Sequence, residues 1–317
     1  MSARQSSTLQ KGLSFAEFLD RFGSEDQCHA ELVAMRWPQG FVCPDCQCER
    51  YCGFVRDSRQ YWQCSACRGQ FTVTCGTVFQ ATKLPLTKWF LAMHLLTQAK
   101  NNVSALELKR HLGVRYKAAW LMKHKLQQVM AEREESRMLT GRVEIDDAYF
   151  GGAHEGKRGR GSENKVSFVV AVQTTDDGRP VAVRMDPIEF TNQALADWAL
   201  KALSTSACAV SDGLKCFAAT IVQAASHTPI VVGVGRQSVS HAEFRNVNTM
   251  ISNVKTAISG TYHAFKFDKY IRRYLAEVQY RFNRRFDLKI ILTRLLRAAA
   301  TTGPRPERVI RASEVGG

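Results

Sequence analysis

Residues 43–67 read CPDCQCERYCGFVRDSRQYWQCSAC, two Cys-x-x-Cys pairs with 17 residues between Cys46 and Cys64. Each pair forms a short knuckle offering two thiolates, and a spacer of about 15–20 residues allows the hairpin that brings both knuckles to one tetrahedral Zn²⁺. The stretch predicts a zinc ribbon over residues 40–80, with structural zinc on Cys43, Cys46, Cys64 and Cys67. Tyr61, Trp62, Phe71 and Val73 alternate around the second knuckle as strand residues do. Cys48, Cys52 and Cys75 are left over as small buried hydrophobes or free thiols, and a swap of Cys48 for Cys46 as ligand stays open.

The rest of the chain sets the context. Its 317 residues have room for two domains, and 45% hydrophobic residues is ordinary for a globular protein. Lys plus Arg number 44 against 29 Asp plus Glu, a net charge of +15, which favours a polyanionic partner through phosphate contacts and counterion release. A merely solubilising surface is the competing reading. The start, MSARQSSTLQKG, has no apolar signal core, and six of the ten cysteines lie between Cys43 and Cys67, so a reducing cytosol is expected rather than a secreted disulfide scaffold. No apolar run approaches the roughly 20 residues of a membrane span.

Residues 1–39 read as a tail and a short helix, with Leu13, Phe15, Phe18, Leu19 and Phe22 at helical spacing. Residues 84–138 read as helices. Ser104 and Glu107 form a capping-box pattern that starts a helix at Ala105, Gly113-Val114 makes a turn, and Ala118, Ala119, Leu121 and Met122 line a second helix. This is a helix-turn-helix pattern, with Arg115, Lys117, Lys123 and Lys125 as phosphate contacts, although a plain helical hairpin with a basic face fits too. Over 140–300 the chain turns to strands, RVEIDDAYF, VSFVVAVQT and RPVAVRMDP, then helix ALADWALKAL and strand ACAVSD, which predicts a mixed α/β layer. Lys157, Arg158 and Arg160 sit in a Gly-rich basic loop after the first of these strands, as further DNA contacts or a solvated loop. The region ends in basic helices, and residues 301–317 read as a flexible tail.

Asp146 lies in the first strand and Asp212 ends the fourth. Two carboxylates on neighbouring strands can hold divalent metal for in-line displacement at phosphorus; Mg²⁺ suits an all-oxygen site, with Mn²⁺ as an alternative. Turn residues are the commoner fate of an Asp-Gly. Thirty-five residues separate Asp212 from Asn248, and Lys255 lies nearly two helical turns further on the same face, where an amide oxygen could support a metal and an ammonium a phosphate. Glu243 is the reserve third ligand, with His241 nearby. Asp147 should point to the opposite face of the strand from Asp146. Arg281, Arg284 and Arg285 read as either a phosphate-binding stripe or a solvated helix face, and His263 as a DNA contact.

Together, FVCPDC with QCSACRGQFTVTCGTVF, LPLTKWFLAMHLLTQAK, VEIDDAYFGG, AVSDG, VNTMISNVKTAISGTYHAF and YLAEVQYRFNRRFDL span nearly the whole chain. In this order they resemble the zinc-ribbon insertion-sequence transposases of the DDE type, in the branch with Asn and Lys at the third catalytic position. The resemblance implies an α/β RNase H-like catalytic domain preceded by a zinc ribbon and a helix-turn-helix, with Asp146, Asp212, Asn248 and Lys255 catalytic. It implies metal-dependent strand cleavage and transfer, with double-stranded DNA as partner, both terminal inverted repeats and target. A homodimer or larger assembly on DNA in the bacterial cytoplasm and nucleoid follows, with no membrane. The competing readings are a catalytically inactive DNA-binding derivative and an RNA-cutting nuclease of the RNase H type.

Overall fold

The computed structural model describes residues 12–151, 165–231, 241–262 and 267–312, and these form two compact units. The first comprises residues up to 99, 105–129 and 286–311; the second comprises 100–104, 130–285 and the last residues. Lys157, Arg158, Arg160 and His263 lie outside the described residues.

In the first unit, α1 (Phe15–Phe22) and α2 (Glu25–Arg36) each begin with a full capping box, Ser14 with Glu17 and Ser24 with Gln27. Helix α2 leaves little trace in the sequence, because its buried face is only Cys28 and Leu32, too thin a stripe to stand out as periodicity. The ribbon is an antiparallel sheet of β1 (Tyr51–Arg56), β2 (Arg59–Cys64) and β3 (Gln70–Phe71). Its hairpin closes on Asp57 and Ser58, both at positive φ (49° and 59°), the primed two-residue turn that matches strand twist. Trp37, Phe41, Trp62 and Phe71 form its small aromatic core, with Trp37 and Trp62 ring centroids 4.9 Å apart.

The helices α3 (Leu86–Gln98), α4 (Ala105–Leu112) and α5 (Tyr116–Glu135) follow, α4 beginning where the Ser104–Glu107 pattern sets it. The carboxylate of Glu25 caps α3, accepting from the N–H groups of Leu86 and Thr87 at 2.7 and 3.0 Å. Only Gly113, Val114 and Arg115 separate α4 from α5. Of the basic residues expected on this second helix, Arg115 and Lys117 are exposed, and Lys117 pairs with Glu307 at 3.2 Å. Lys123 does not face solvent: it is 1% exposed, one turn beyond the buried Ala119 and within the same stripe as Met122 and Leu126. Lys125 is half-buried, donates to the Val78 carbonyl at 3.4 Å, and has its pKa lowered by burial.

The expected tail and the expected end of the α/β region divide differently in the structure. Helices α7 (Arg245–Ser259) and α8 (Phe267–Phe282) belong to the second unit, whereas helix α9 (Ile291–Thr301) packs on α2 and α3 in the first. Ile291, Leu292, Leu295 and Leu296 are fully buried, and this apolar stripe finds its cover there. The short helix α10 (Glu307–Arg311) is ordered by buried Ile310 and by Arg311, whose guanidinium lies 4.6 Å from the Trp120 ring centre.

The second unit is a five-stranded sheet. Strands β4 (Leu139–Phe150), β5 (Val166–Thr174) and β6 (Pro180–Pro187) form an antiparallel meander; helix α6 (Asn192–Ala202) then leads to β7 (Leu203–Ser211), parallel to β4, and β8 (Ser226–Pro229) is parallel to β7. The order across the sheet is β6-β5-β4-β7-β8. One face carries Val143, Ile145, Val169, Ala171 and Ala209 against Leu195, Trp198 and Ala199 of α6. The other carries Ala148, Phe150, Val170, Val172 and Val210 against Val247, Met250 and Val254 of α7 and Ile271 and Leu275 of α8. Helices thus cover both faces.

The late arginines are neither a phosphate stripe nor a solvated face. Arg281 reaches the Glu277 carboxylate and Asn102, and Arg284 pairs with buried Glu134 while lying 3.5 Å from the Tyr280 ring centre. Arg285 donates to the carbonyls of Val181 and Pro180, and burial pulls its pKa down to about 10. Arginine is present here because burying carboxylates and strand carbonyls requires a donor with several N–H groups.

Candidate metal centres and active site

The sulfur atoms of Cys43, Cys46, Cys64 and Cys67 lie within 4.8 Å of one another. Cys43 to Cys67 is 3.6 Å and Cys46 to Cys64 is 3.5 Å. Tetrahedral zinc with bonds near 2.3 Å requires sulfur–sulfur edges of about 3.8 Å, so the four residues fit structural zinc. The knuckle backbone supports this: the N–H of Ala66 points at the Cys64 sulfur at 3.4 Å. Cys48 and Cys52 turn aside, each donating to a backbone carbonyl at 3.8 Å, so Cys46 and not Cys48 completes the set.

The second cluster lies in the α/β unit, where the β4–β7 ladder ends. Ile145 pairs with Ser211 in parallel register, so the next residues, Asp146 and Asp212, lie side by side on the α7 face of the sheet. Their carboxylates and that of Asp147 lie within 4.8 Å of one another, all half-buried. Asp147 thus departs from the expectation drawn from strand alternation. Past the last β7 rung that edge of β4 is no longer covered by its neighbour, so carboxylates from both faces can approach around it. The N–H of Asp147 donates to Asp146 Oδ1 at 2.8 Å, and the N–H of Leu214 to Asp212 Oδ1 at 3.1 Å. Behind them, buried Ser211 donates to the Asp212 carbonyl at 2.9 Å and meets His227 Nε2 at 2.8 Å. A groove of about 630 Å³, lined by Phe190, Asn192, Asp212 and Lys215, opens beside Asp212. Three oxygen ligands and an open groove fit a hard divalent cation that keeps positions free for phosphate oxygens.

Asn248 is half-buried and Lys255 exposed, both on α7, which packs on β4 and β5. Glu243, the reserve ligand, is instead paired with Arg142, and His241 caps the short turn before it by accepting from the Glu243 N–H at 3.4 Å. A residue missed in the sequence is Glu144, 2% exposed, which holds the first turn of α7. Its signal was legible: a carboxylate inside the apolar run V-E-I must meet donors or not be buried at all.

Residues 138–283 match the family described as ISXO2-like transposase domain, and residues 23–70 match the transposase zinc-ribbon domain. An uncharacterized protein in transposable element ISH50 of Halobacterium salinarum is 30% identical over 196 residues, 56% of this chain and 64% of that protein. The alignment therefore spans just under two thirds of that relative's length.

Proposed function

We propose that this chain, which carries the zinc-ribbon and transposase domains of insertion-sequence transposases, is a DDE-type DNA transposase that binds the terminal inverted repeats of its element and catalyses strand cleavage and strand transfer. The observation that carries the reading is the convergence of Asp146, Asp147 and Asp212 at the junction of the parallel strands β4 and β7. An antiparallel meander followed by two parallel strands, in the order β6-β5-β4-β7-β8 with helices on both faces, is consistent with the RNase H-like domain that the resemblance implies and supports the same reading.

Asp146 and Asp212 would hold Mg²⁺, or Mn²⁺, with Asp147 beside them; a pair of such cations would supply activation of the attacking oxygen and charge stabilisation at the leaving oxygen of an in-line displacement. The protein's own groups position the substrate. The groove beside Asp212 admits the backbone, with the Lys215 ammonium at its wall and the Lys255 ammonium available to a neighbouring phosphate. Asn248 offers a neutral amide oxygen at the third position, a weaker ligand than carboxylate, so its placement matters more. Water or a DNA 3′-hydroxyl attacks directly, with no covalent protein intermediate. The ribbon and the α4–α5 helix-turn-helix take the repeats, with Arg115 and Lys117, and Lys157, Arg158 and Arg160 of the basic loop, on phosphates. Two ends must meet in one complex, so the working form on nucleoid DNA is a homodimer or larger. Among the described residues no helix is long and apolar enough to cross a membrane.

The test is Mg²⁺-dependent cleavage and joining of DNA carrying the repeats that flank the gene, comparing the native protein with Asp212→Ala. Joined products that vanish in the variant are expected. Binding without cutting in either protein would replace this reading with an inactive DNA-binding derivative.

A further inference from the structure

Arg142, Glu144 and Asp146 are alternate residues of β4 and share the face turned toward α7. The Arg142 guanidinium pairs with the Glu243 carboxylate and donates to the Glu243 carbonyl at 3.2 Å. Two residues along, Glu144 accepts from the N–H groups of Asn246 and Val247, both at 3.0 Å, and from the Asn246 side-chain amide at 2.8 Å. The chain entering α7 is thus matched to the strand in ascending order, 142 with 243 and 144 with 246–247. Asp146 and Asn248 come next on the two elements.

We propose that Arg142 and Glu144 are positioning residues that seat the first turn of α7 in register on β4 and so set Asn248 beside Asp146. This rests on the transposase reading above and assigns the third member of its site to Asn248 rather than Glu243. The first N–H groups of a helix have no intrahelical acceptor and carry partial positive charge, so a buried carboxylate that takes two of them fixes both the position and the axial register of the helix. Both Glu144 oxygens are engaged by these donors, and Glu144 stands apart from the cluster of Asp146, Asp147 and Asp212, so its role is that of an anchor. Glu243 is held at Arg142, four strand residues and so about 13 Å along β4 from Asp146. An amide coordinates more weakly than a carboxylate, so rigid placement is the means left to make Asn248 effective.

The experiment measures single-turnover Mg²⁺-dependent cleavage and end binding for Glu144→Ala, Glu144→Gln, Asn248→Ala, Glu243→Gln and the Glu144→Ala/Asn248→Ala pair. Hydrogen exchange at the Asn246 and Val247 amides is followed without DNA. Expected for Glu144→Ala is a loss of about 10–100-fold in cleavage, the range for residues that orient a metal site, with unchanged end binding and faster exchange at those two amides. Glu144→Gln, which keeps an oxygen acceptor, should recover part of the rate and serves if the alanine variant folds poorly. The double variant should be no slower than Asn248→Ala alone, because Glu144 acts through Asn248. Losses that multiply in the double variant, unchanged exchange, or a Glu243→Gln variant as inactive as Asp212→Ala would overturn the proposal. A native protein that fails to cut while the exchange result holds would sink the transposase reading and leave the helix anchor standing.

Discussion

At the scale of single residues, charge alone does not say where a side chain goes. Lys123 in α5 and Arg115 just before it carry the same charge, yet Lys123 is 1% exposed and Arg115 faces solvent. Replacing Arg115 with Ala should weaken DNA binding across all sequences and reduce the slope of log K against log salt by about one unit. Replacing Lys123 with Ala should leave that slope unchanged and lower the melting temperature, since it removes a buried stem. Titration of binding against salt, with a parallel melt, distinguishes the two. Asp147 shows the same limit: alternation assigns it to the far face of β4, but the place where the neighbouring ladder stops brings its carboxylate back to Asp146 and Asp212.

Among elements, the ribbon and the sheet obtain stability differently. The ribbon has one small aromatic core and three short strands, so most of its folding energy must come from zinc on four thiolates, a contribution of about 10 kcal/mol or more in such modules. Removing zinc with a strong chelator, or replacing Cys64 with Ser, should unfold residues 40–80. The expected readout is a red shift of the emission of Trp62 and of Trp37, which packs on it, with the α/β sheet signal retained. An unshifted spectrum after verified metal loss would show that the aromatic core suffices. The sheet has its own apolar cover on both faces of β4 and β5, and its acidic cluster sits where the β4–β7 ladder ends.

For the whole molecule, residues 286–311 return to the unit where the chain began. Ile291, Leu292, Leu295 and Leu296 are fully buried on α2 and α3, worth about 1.5–3 kcal/mol each, a sum comparable to the total stability of a small domain. A chain ending at Arg285 should therefore lose the cooperative melt of its N-terminal unit, as calorimetry would show; a full-length-like melt would refute the assignment. Acid should act on both units. Burial lowers the pKa of His29, His94 and His227 below the ordinary 6.5. The unfolded chain then binds protons that the folded one does not, so this part of the stability is complete above pH 6.5 and falls as pH drops below it. Melting temperature should decline from pH 7.5 to 5.5, and less steeply for His94→Phe, whose ring would still pack on Phe18; identical slopes would count against His94 as a contributor.

By itself the sequence determined what depends on spacing along the chain. The two Cys-x-x-Cys pairs set the zinc ligands, the Ser104–Glu107 pattern set the start of α4, and apolar runs set four of the five strands, because capping and periodicity act over a few residues. VEIDD and AVSDG marked the acidic positions in the same way. Only the tertiary structure decided which groups meet across long separations: α9 with α2 and α3, Glu144 with the start of α7, Arg284 with Glu134, and Asp147 with Asp212. Those encounters depend on sheet order, on where a ladder ends and on which face a helix covers, and no local pattern of residue types encodes them.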